Sequence, residues 1–240
     1  PAPPIRVLIY GQSITAQAWT WRMMNNVQQR YPGRQWAVEN RSIGGHLAEY
    51  LVSTAEADLY PFHPDLLIFQ AYGDTNAYRQ LVKAVRERTT ADILLMNDHY
   101  AGWDSLDLPG IGEWDGEILP EIARTNGACL ADIRTPWKQY LLDNRFPILA
   151  LLADWIHPNF AGQNLIQALM MSYVAGPAFS PSPDPYQCGR ARRIKLPAEA
   201  ASSGEWRLTF QGNRVAARLA AEPGFARILV DGQPPSAQRT

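Results

Sequence analysis

The chain has few cysteines, no excess of positive charge and no long apolar segment. Cys129 and Cys188 are its only two cysteines, too few for a disulfide framework, and their spacing matches no metal-binding motif. The 22 basic and 23 acidic residues nearly balance, so the basic surface that nucleic acids or anionic membranes require is missing. No apolar run approaches the ~20 residues of a membrane span. We therefore predict neither a nucleic-acid nor a membrane partner.

The first residues, Pro-Ala-Pro-Pro, lack the basic and then apolar segments of a secretory signal peptide. Because the chain does not begin with Met, a removed export signal stays open, and a secreted or periplasmic location would then be favoured. The 240 residues are 46% hydrophobic and 19% charged, which is ordinary for a globular protein with one large core and a small appendage. Nothing in the composition predicts the oligomeric state.

Short apolar segments alternate with helix-like segments through residues 1–175. Such alternation is typical of a parallel sheet with helices on both faces. We therefore predict a three-layer α/β/α domain with a five-stranded, flavodoxin-like parallel sheet. The predicted strands are Ile5–Tyr10, Trp36–Glu39, Leu66–Ala71, Ile93–Met96 and Ala128–Ile133, and the predicted helices are Thr15–Arg30, His46–Asp58, Ala77–Arg88, Trp114–Thr125 and Asn159–Val174.

Residues 176–189 contain four prolines in fourteen positions, which predicts an extended Pro-rich linker. Residues 190–240 then have the pattern of short strands, with turns at Gly212-Asn213 and Asp231-Gly232. Four strands are too few for an ordinary β-sandwich of about seven. We predict a small C-terminal β segment that is either incomplete or appended to the first domain. The predicted strands are Arg193–Leu196, Trp206–Phe210, Arg214–Ala217 and Ala226–Val230.

A serine follows the first predicted strand, where the apolar run stops at Gly11-Gln12-Ser13. Open α/β sheets bind ligands at the carboxyl ends of their strands, so Ser13 lies where chemistry is expected. Most serines in such positions only form turns or cap helices. Ser13 therefore needs a base, an orienting acid and oxyanion donors before it can be called a nucleophile.

The chain has only four histidines, and two of them, His99 and His157, follow predicted sheet-edge loops and have an aspartate nearby. Asp154 and His157 are three residues apart in "DWIHPN", so both side chains can lie on the same side of a tight turn. His99 directly follows Asp98, and neighbouring side chains on an extended segment point apart. We therefore predict His157 as the base and Asp154 as its orienting acid. A metal site at Asp98 and His99 is a weaker alternative, because two adjacent ligands do not make a coordination set.

Two glycine-containing segments follow the second and third predicted strands. "VENRSIGGH" ends in Gly44-Gly45, where a backbone N–H can closely approach a carbonyl oxygen. "FQAYGDTN" carries Gly73 and ends at Asn76. Each could be a plain turn, but both fall at the sheet edge that carries Ser13.

Together these motifs resemble those of the SGNH hydrolases, also called the GDSL esterase/lipase superfamily. "YGQSIT" resembles the first block, with Gln12 replacing the usual Asp and Ser13 as nucleophile; "NRSIGG" resembles the second, with Gly45 as an oxyanion donor. Asp154 and His157 match the Asp-x-x-His block. The chain departs from the third block, Gly-x-Asn-Asp, because Asn76 stands one residue late in "YGDTN".

The resemblance implies a Ser-His-Asp triad, an acyl-enzyme, and an oxyanion hole formed by Ser13, Gly45 and Asn76. It implies no metal and no cofactor, and a small ester or acetylated carbohydrate as substrate. Alternatives are a short-chain lipase or thioesterase, and a catalytically inactive carbohydrate-binding module. Trp103 and Trp155 are candidate sugar-binding residues, although either could belong to the core. Four tryptophans fall near predicted strand ends or site loops: Trp19, Trp21, Trp103 and Trp155.

Overall fold

A computed structural model describes residues 4–107, 112–175, 207–209, 227, 229 and 231–233. Five parallel strands form one sheet in the order β2-β1-β3-β4-β5. This is the flavodoxin-like order, and it confirms the predicted fold class. The strands are β1 (Ile5–Gly11), β2 (Trp36–Asn40), β3 (Leu66–Gln70), β4 (Asp92–Met96) and β5 (Cys129–Ala131).

Helices cover both faces of the sheet. Their bounds are α1 (Ser13–Ala16), α2 (Trp19–Arg30), α3 (Ala48–Asp58), α4 (Thr75–Arg88), α5 (Leu119–Thr125), α6 (Arg134–Asp143) and α7 (Phe160–Val174). Short 3₁₀ turns occur at Tyr60–Phe62 and Ile148–Leu151, and a π-helical turn at Trp114–Ile118 precedes α5.

Strand β1 is buried on both faces of the sheet. Leu8 and Tyr10 pack into one core with residues of α3, α4 and α5, and Val7 and Ile9 pack into the other with residues of α2, α6 and α7. All four side chains are fully buried. Because successive strand residues point to opposite faces, a strand covered on both sides must be apolar throughout, which explains the continuous apolar run in the sequence.

The prediction of one continuous helix at Thr15–Arg30 is wrong, because two separate helices, α1 and α2, occupy this segment. Gln17 between them has an extended backbone (φ −71°, ψ 159°). The break lets Trp19 turn into the core, where its side chain is fully buried and its Nε1 donates to the Ile14 carbonyl at 2.7 Å. Tertiary burial of one large side chain therefore overrides the local helical pattern.

Helix α6 was not predicted from the sequence. It buries only Trp137 and Leu141, which is too narrow an apolar face to produce a clear helical period. Pro136 also resembles a helix breaker, yet it lies in the first turn, where the missing N–H costs nothing. Strand β5 is shorter than the predicted Ala128–Ile133 because the chain leaves the sheet to begin α6.

The predicted linker and the predicted C-terminal strands fall almost wholly outside the described residues. The turn predicted at Asp231-Gly232 is among the described positions and is confirmed, with φ values of 50° and 79°. Both positive φ angles suit an Asp-Gly pair. Among the helices that the structure describes, none has the length and apolar composition needed to cross a membrane.

Candidate active site

Ser13 is the first residue of α1 and follows directly on the carboxyl end of β1. Gly11 is required there because a Cβ would lie 2.0 Å from the Gln70 carbonyl oxygen on neighbouring β3. Gln12 is buried, and its Nε2 donates to the Tyr72 carbonyl at 3.1 Å. The amide of Gln12 thus anchors the turn that presents Ser13, which explains why a glutamine is accommodated here.

A hydrogen-bond network behind α1 holds the serine turn in place. Asn40, the last residue of β2, donates to the Thr15 carbonyl at 2.7 Å, and the Ser42 hydroxyl donates to the Thr15 hydroxyl at 2.9 Å. Thr15 in turn donates to the Gln12 carbonyl at 3.1 Å. These bonds connect the turns after β1 and β2, so the position of Ser13 is set by two strands.

The structure brings Ser13, His157 and Asp154 into one hydrogen-bonded chain. His157 Nε2 lies 2.9 Å from Ser13 Oγ, and His157 Nδ1 lies 2.8 Å from Asp154 Oδ2. An ionised carboxylate can only accept, so Nδ1 carries the ring proton and Nε2 presents its lone pair to the serine hydroxyl. This tautomer is the one that can remove a proton from Ser13.

Asp154 uses its two carboxylate oxygens for different tasks. Oδ1 accepts from the backbone N–H groups of Ile156 and His157, both at 2.7 Å, while Oδ2 faces the imidazole. The His157 and Ile156 backbone bonds, followed by the bond from the His157 ring, lower the pKa of Asp154 to about 2. The carboxylate therefore stays ionised at neutral pH, even though it lies at the surface.

His99 supports this loop and does not contact the serine. Its Nε2 lies 2.7 Å from the Ile156 carbonyl, which can only accept, so Nε2 carries a proton. Burial, as the largest effect, lowers the pKa of His99 to about 4. His99 is thus a neutral buried residue that positions the segment before His157. No group of three or more potential metal ligands occurs among the described residues, so the alternative metal site at Asp98 and His99 gains no support.

The glycine segments after β2 and β3 lie against each other near Ser13. A Cβ on Gly73, whose φ is +116°, would lie 2.8 Å from the Ala48 nitrogen. The backbone N–H of Asp74 donates to Glu49 Oε2 at 3.0 Å. On the Ser13 side, a Cβ on Gly44 would lie 3.8 Å from the serine Cβ. Gly45 follows with φ +76°, a conformation that favours glycine.

Asn76 occupies the first turn of α4 and is exposed. Asn76 is not the N-cap of this helix. Asp74 is the N-cap residue, because its Oδ1 accepts from the Ala77 N–H at 2.8 Å. The Asn76 side chain is consequently not needed to cap α4.

The four candidate tryptophans have different environments. Trp155 and Trp103 are 63% and 65% exposed, whereas Trp19 is fully buried in the core. Trp21 is partly exposed on α2. Trp155 lies between Asp154 and His157 in sequence, and its ring packs on Gly102, where an added Cβ would lie 2.2 Å from it.

Sequence reasoning missed a polar cluster beside the triad, at the carboxyl ends of β3 and β4. Gln70 donates to Asp98 Oδ1 at 2.6 Å, and the Tyr72 side chain also bonds Asp98. Burial, followed by the nearby negative charge of Asp115, raises the pKa of Asp98 to about 8. A polar residue after each apolar strand was the available signal, but nothing in the spacing showed that these residues meet.

The protonated state of Asp98 predicts an unusual dependence of stability on pH. Its pKa is higher in the folded than in the unfolded chain, so the folded state binds more protons between about pH 4 and pH 8, and stability falls as the pH rises. In Asp98→Asn the fall should be smaller, by up to about 1.4 kcal/mol per pH unit. Urea unfolding from pH 5 to pH 8 measures this difference, with Asp107→Asn at an exposed position as control. Parallel profiles for the wild type and Asp98→Asn would contradict it.

The fold and the site together define a class of protein. A flavodoxin-like sheet carries, at its carboxyl edge, a serine bonded to a histidine that is bonded to an aspartate. This arrangement resembles the one expected for the SGNH hydrolases, and solved structures confirm the resemblance in fold.

An acetylxylan esterase from Geobacillus stearothermophilus, Axe2, is 19% identical, with a TM-score of 0.61 over 71% of this chain and 94% of its own. A GDSL-like lipase from Parabacteroides merdae is 16% identical, with a TM-score of 0.60 over 73% and 100%. LAE5, an α/β hydrolase from the metagenome of Lake Arreo, Spain, is 17% identical, with a TM-score of 0.59 over 71% and 95%. No protein-family model and no curated protein matches the sequence.

Proposed function

We propose that this protein is a serine esterase that hydrolyses carboxylic esters, with acetyl groups on a carbohydrate as its substrates. The observation that carries the proposal is the hydrogen-bonded chain from Ser13 Oγ through His157 to Asp154. Its order and its imidazole tautomer are those that nucleophilic catalysis by a serine requires. The fold shared with Axe2 and with a GDSL-like lipase supports the same assignment.

In the first half of the reaction, His157 Nε2 takes the proton from Ser13 Oγ as the oxygen attacks the ester carbonyl. The imidazolium that forms is stabilised by the Asp154 carboxylate, whose low pKa keeps it charged. The carbonyl oxygen becomes an oxyanion. Collapse of the tetrahedral intermediate breaks the bond to the alcohol, and the alcohol oxygen receives the proton from His157 Nε2.

In the second half, water replaces the alcohol. His157 removes a proton from that water as it attacks the acyl-serine carbonyl, and then returns the proton to Ser13 Oγ when the carboxylic acid leaves. The chain therefore needs no metal or organic cofactor for this cycle. A lipase or thioesterase would use the same steps and would differ only in the group released.

The oxyanion is stabilised by donors on three loops. Ser13 begins α1, and the first N–H groups of a helix have no intrahelical partner, so the Ser13 N–H is available. The Gly45 N–H is the second donor, on the loop whose Gly44 lies against Ser13. The side-chain amide of Asn76 is the third donor, on the loop that Gly73 brings against the loop after β2.

Replacing Asn76 tests the third donor. Because Asp74 already caps α4, Asn76→Ala should leave the melting temperature nearly unchanged. Loss of one oxyanion donor should lower kcat for an aryl acetate by about 10²–10³-fold. Steady-state kinetics and thermal unfolding on this variant measure both effects, with Asn144→Ala on the distant α6 cap as control. An unchanged kcat would remove Asn76 from the oxyanion hole.

The preference for a carbohydrate rests on the aromatic surface beside the triad. Trp155 and Trp103 expose most of their rings, and such rings provide flat apolar faces for sugars. Axe2, which shares the fold, is described as an acetylxylan esterase. A lipase would instead be expected to place an extended apolar groove next to the serine.

A fluorophosphonate probe and an ester panel test the proposal. The probe reacts only with an activated serine, so labelling separates an esterase from an inactive carbohydrate-binding module. The panel compares acetylated xylan, acetylated mannan, phenyl acetate, a short-chain triglyceride and an acyl thioester. Preference for the acetylated polysaccharides is the expected result. Preference for the triglyceride or thioester would replace the carbohydrate assignment, and absence of labelling would overturn the esterase.

A further inference from the structure

A polar cavity of about 170 Å³ lies beside the loop that carries His157. Two hydrogen bonds join its wall to that loop: His99 Nε2 donates to the Ile156 carbonyl at 2.7 Å, and the Gly102 N–H donates to the Trp155 carbonyl at 2.7 Å. The exposed Trp103 belongs to its lining. Its polar lining residues include Asp98, Asp104, Asp115 and Arg134.

Three buried polar atoms of the lining residues have no hydrogen-bond partner among the described residues: His99 Nδ1, Asp115 Oδ1 and Arg134 Nε. Asp115 Oδ1 is an acceptor on a side chain that is only 9% exposed, and Arg134 Nε is a donor on a side chain that is 13% exposed. Nε lies 3.4 Å from Asp115 Oδ2, so the two side chains form an ion pair without a hydrogen bond at Nε. Buried polar groups are almost always satisfied by protein, water or ligand, so these atoms mark a place that a molecule with both a donor and an acceptor can fill.

The rest of the wall fixes Arg134 in position. Its Nη2 donates to Asp104 Oδ1 at 2.8 Å, its Nη1 donates to the His99 carbonyl at 3.0 Å, and its guanidinium lies 4.0 Å from the centroid of the Tyr100 ring. The unused Nε is thus held rigidly next to the unused oxygen of Asp115. A site prepared in this way loses little entropy when a ligand binds.

The charges of the cavity favour a neutral ligand over an anion. Asp104 and Asp115 place two carboxyl groups beside the single positive charge of Arg134, and burial, as the largest effect, raises the pKa of Asp115. Burial also raises the pKa of Asp98 to about 8. An anionic ligand would face three carboxyl groups and one cation, whereas a hydroxyl group can donate to Asp115 and accept from Arg134.

The chemistry of ester cleavage decides which part of the substrate faces this cavity. The departing alcohol takes its proton from His157, so it must lie on the histidine side of the scissile bond. The Gly45 loop follows β2 on one side of β1, while the cavity residues follow β3 and β4 and lie around β5 on the other. The cavity is therefore on the side of the leaving alcohol, away from the Gly45 donor.

We propose that this cavity is the alcohol-side subsite, and that Asp115 and Arg134 select a neutral alcohol bearing vicinal hydroxyl groups, such as a sugar ring. One hydroxyl donates to Asp115 Oδ1 and its neighbour accepts from Arg134 Nε, while Trp103 flanks the ring. This proposal rests on the proposed esterase function and adds the residues that determine its specificity.

Two esters with the same acetyl group and different alcohols test the subsite. In Asp115→Asn, kcat/KM for monoacetylated xylobiose should fall by about 10-fold, because a sugar hydroxyl donates a weaker hydrogen bond to a neutral amide oxygen than to a carboxylate. For phenyl acetate, which has no hydroxyl groups on its alcohol side, kcat/KM should change by less than about 2-fold. Asp107→Asn, an exposed aspartate in the same segment, is the matched control. Equal effects of Asp115→Asn on both esters, or none on either, would overturn the subsite.

Calorimetry on the wild-type chain gives a second test that needs neither folding of a variant nor turnover. Xylobiose should bind. Per-O-methyl xylobiose should not bind, because it has no hydroxyl donors. Digalacturonate should bind at least about 10-fold more weakly than xylobiose because of its charge. If the chain cleaves no ester, the proposed esterase function is wrong, but calorimetry still shows whether the cavity binds a neutral sugar. Equal binding of all three sugars, or binding of none, would contradict the subsite.

Discussion

Ser13→Ala should reduce ester hydrolysis by about 10⁴-fold or more and abolish fluorophosphonate labelling. The substitution removes the Ser13 hydroxyl, which lies 2.9 Å from His157 Nε2. Among the described residues, no other side chain forms a hydrogen bond with that nitrogen. Without the hydroxyl no acyl-enzyme can form. Residual hydrolysis would come from water activated by His157 and held beside the oxyanion donors. The measurement is kcat for phenyl acetate together with mass analysis of the probe adduct.

The fold of Ser13→Ala should be unchanged, because the network behind α1 uses Thr15, Asn40 and Ser42 and does not involve the Ser13 hydroxyl. Thermal unfolding within about 2 °C of the wild type would agree with this, given that 1 kcal/mol shifts the melting temperature of such a domain by about 2–4 °C. Ser172→Ala, at an exposed position on α7, is the matched control. Wild-type turnover in Ser13→Ala would refute the entire assignment.

Asp154→Asn should lower kcat by about 10⁴-fold, as loss of the orienting carboxylate does in other serine hydrolases. An asparagine can still accept the two backbone bonds from Ile156 and His157 through its oxygen, so the loop keeps its shape. Its amide nitrogen then faces His157 Nδ1 and donates to it. The ring is forced into the tautomer with the proton on Nε2, which cannot accept the proton of Ser13.

This variant separates orientation from structure. Asp154→Ala would also lose the two backbone bonds, so a larger fall in melting temperature for alanine than for asparagine is expected, with comparable loss of kcat. Asp143→Asn on the surface of α6 controls for a change of charge. A kcat for Asp154→Asn within about 10-fold of the wild type would show that Asp154 only supports the turn.

Local sequence determined the layers of this protein. Runs such as Val7–Tyr10 are apolar at every position, and only a strand covered on both faces tolerates that pattern. The alternation with helical segments then limits the topology to a parallel sheet, because parallel strands need crossover helices. The spacing of Asp154 and His157 is likewise a local property, since i and i+3 meet within one turn whatever surrounds them.

The tertiary structure decided everything that depends on residues far apart in the chain. Ser13 and His157 are 144 positions apart, and only the packing of the loop after Leu152 against the edge of the sheet puts them 2.9 Å from each other. No period or spacing in the sequence encodes that distance; family resemblance supplied the pairing in advance.

The cavity beside the triad is the clearest case. Asp115 and Arg134 look like ordinary loop or helix residues in the sequence, and Asp98 stands out there only as one half of a weak metal-binding pair with His99. Their importance comes from shared burial, which leaves an acceptor and a donor without partners and raises the pKa of Asp98 to about 8. Burial depends on the whole fold, so the sequence by itself determined the sheet and the local Asp-His turn, whereas the folded chain alone decided which distant polar groups share a site.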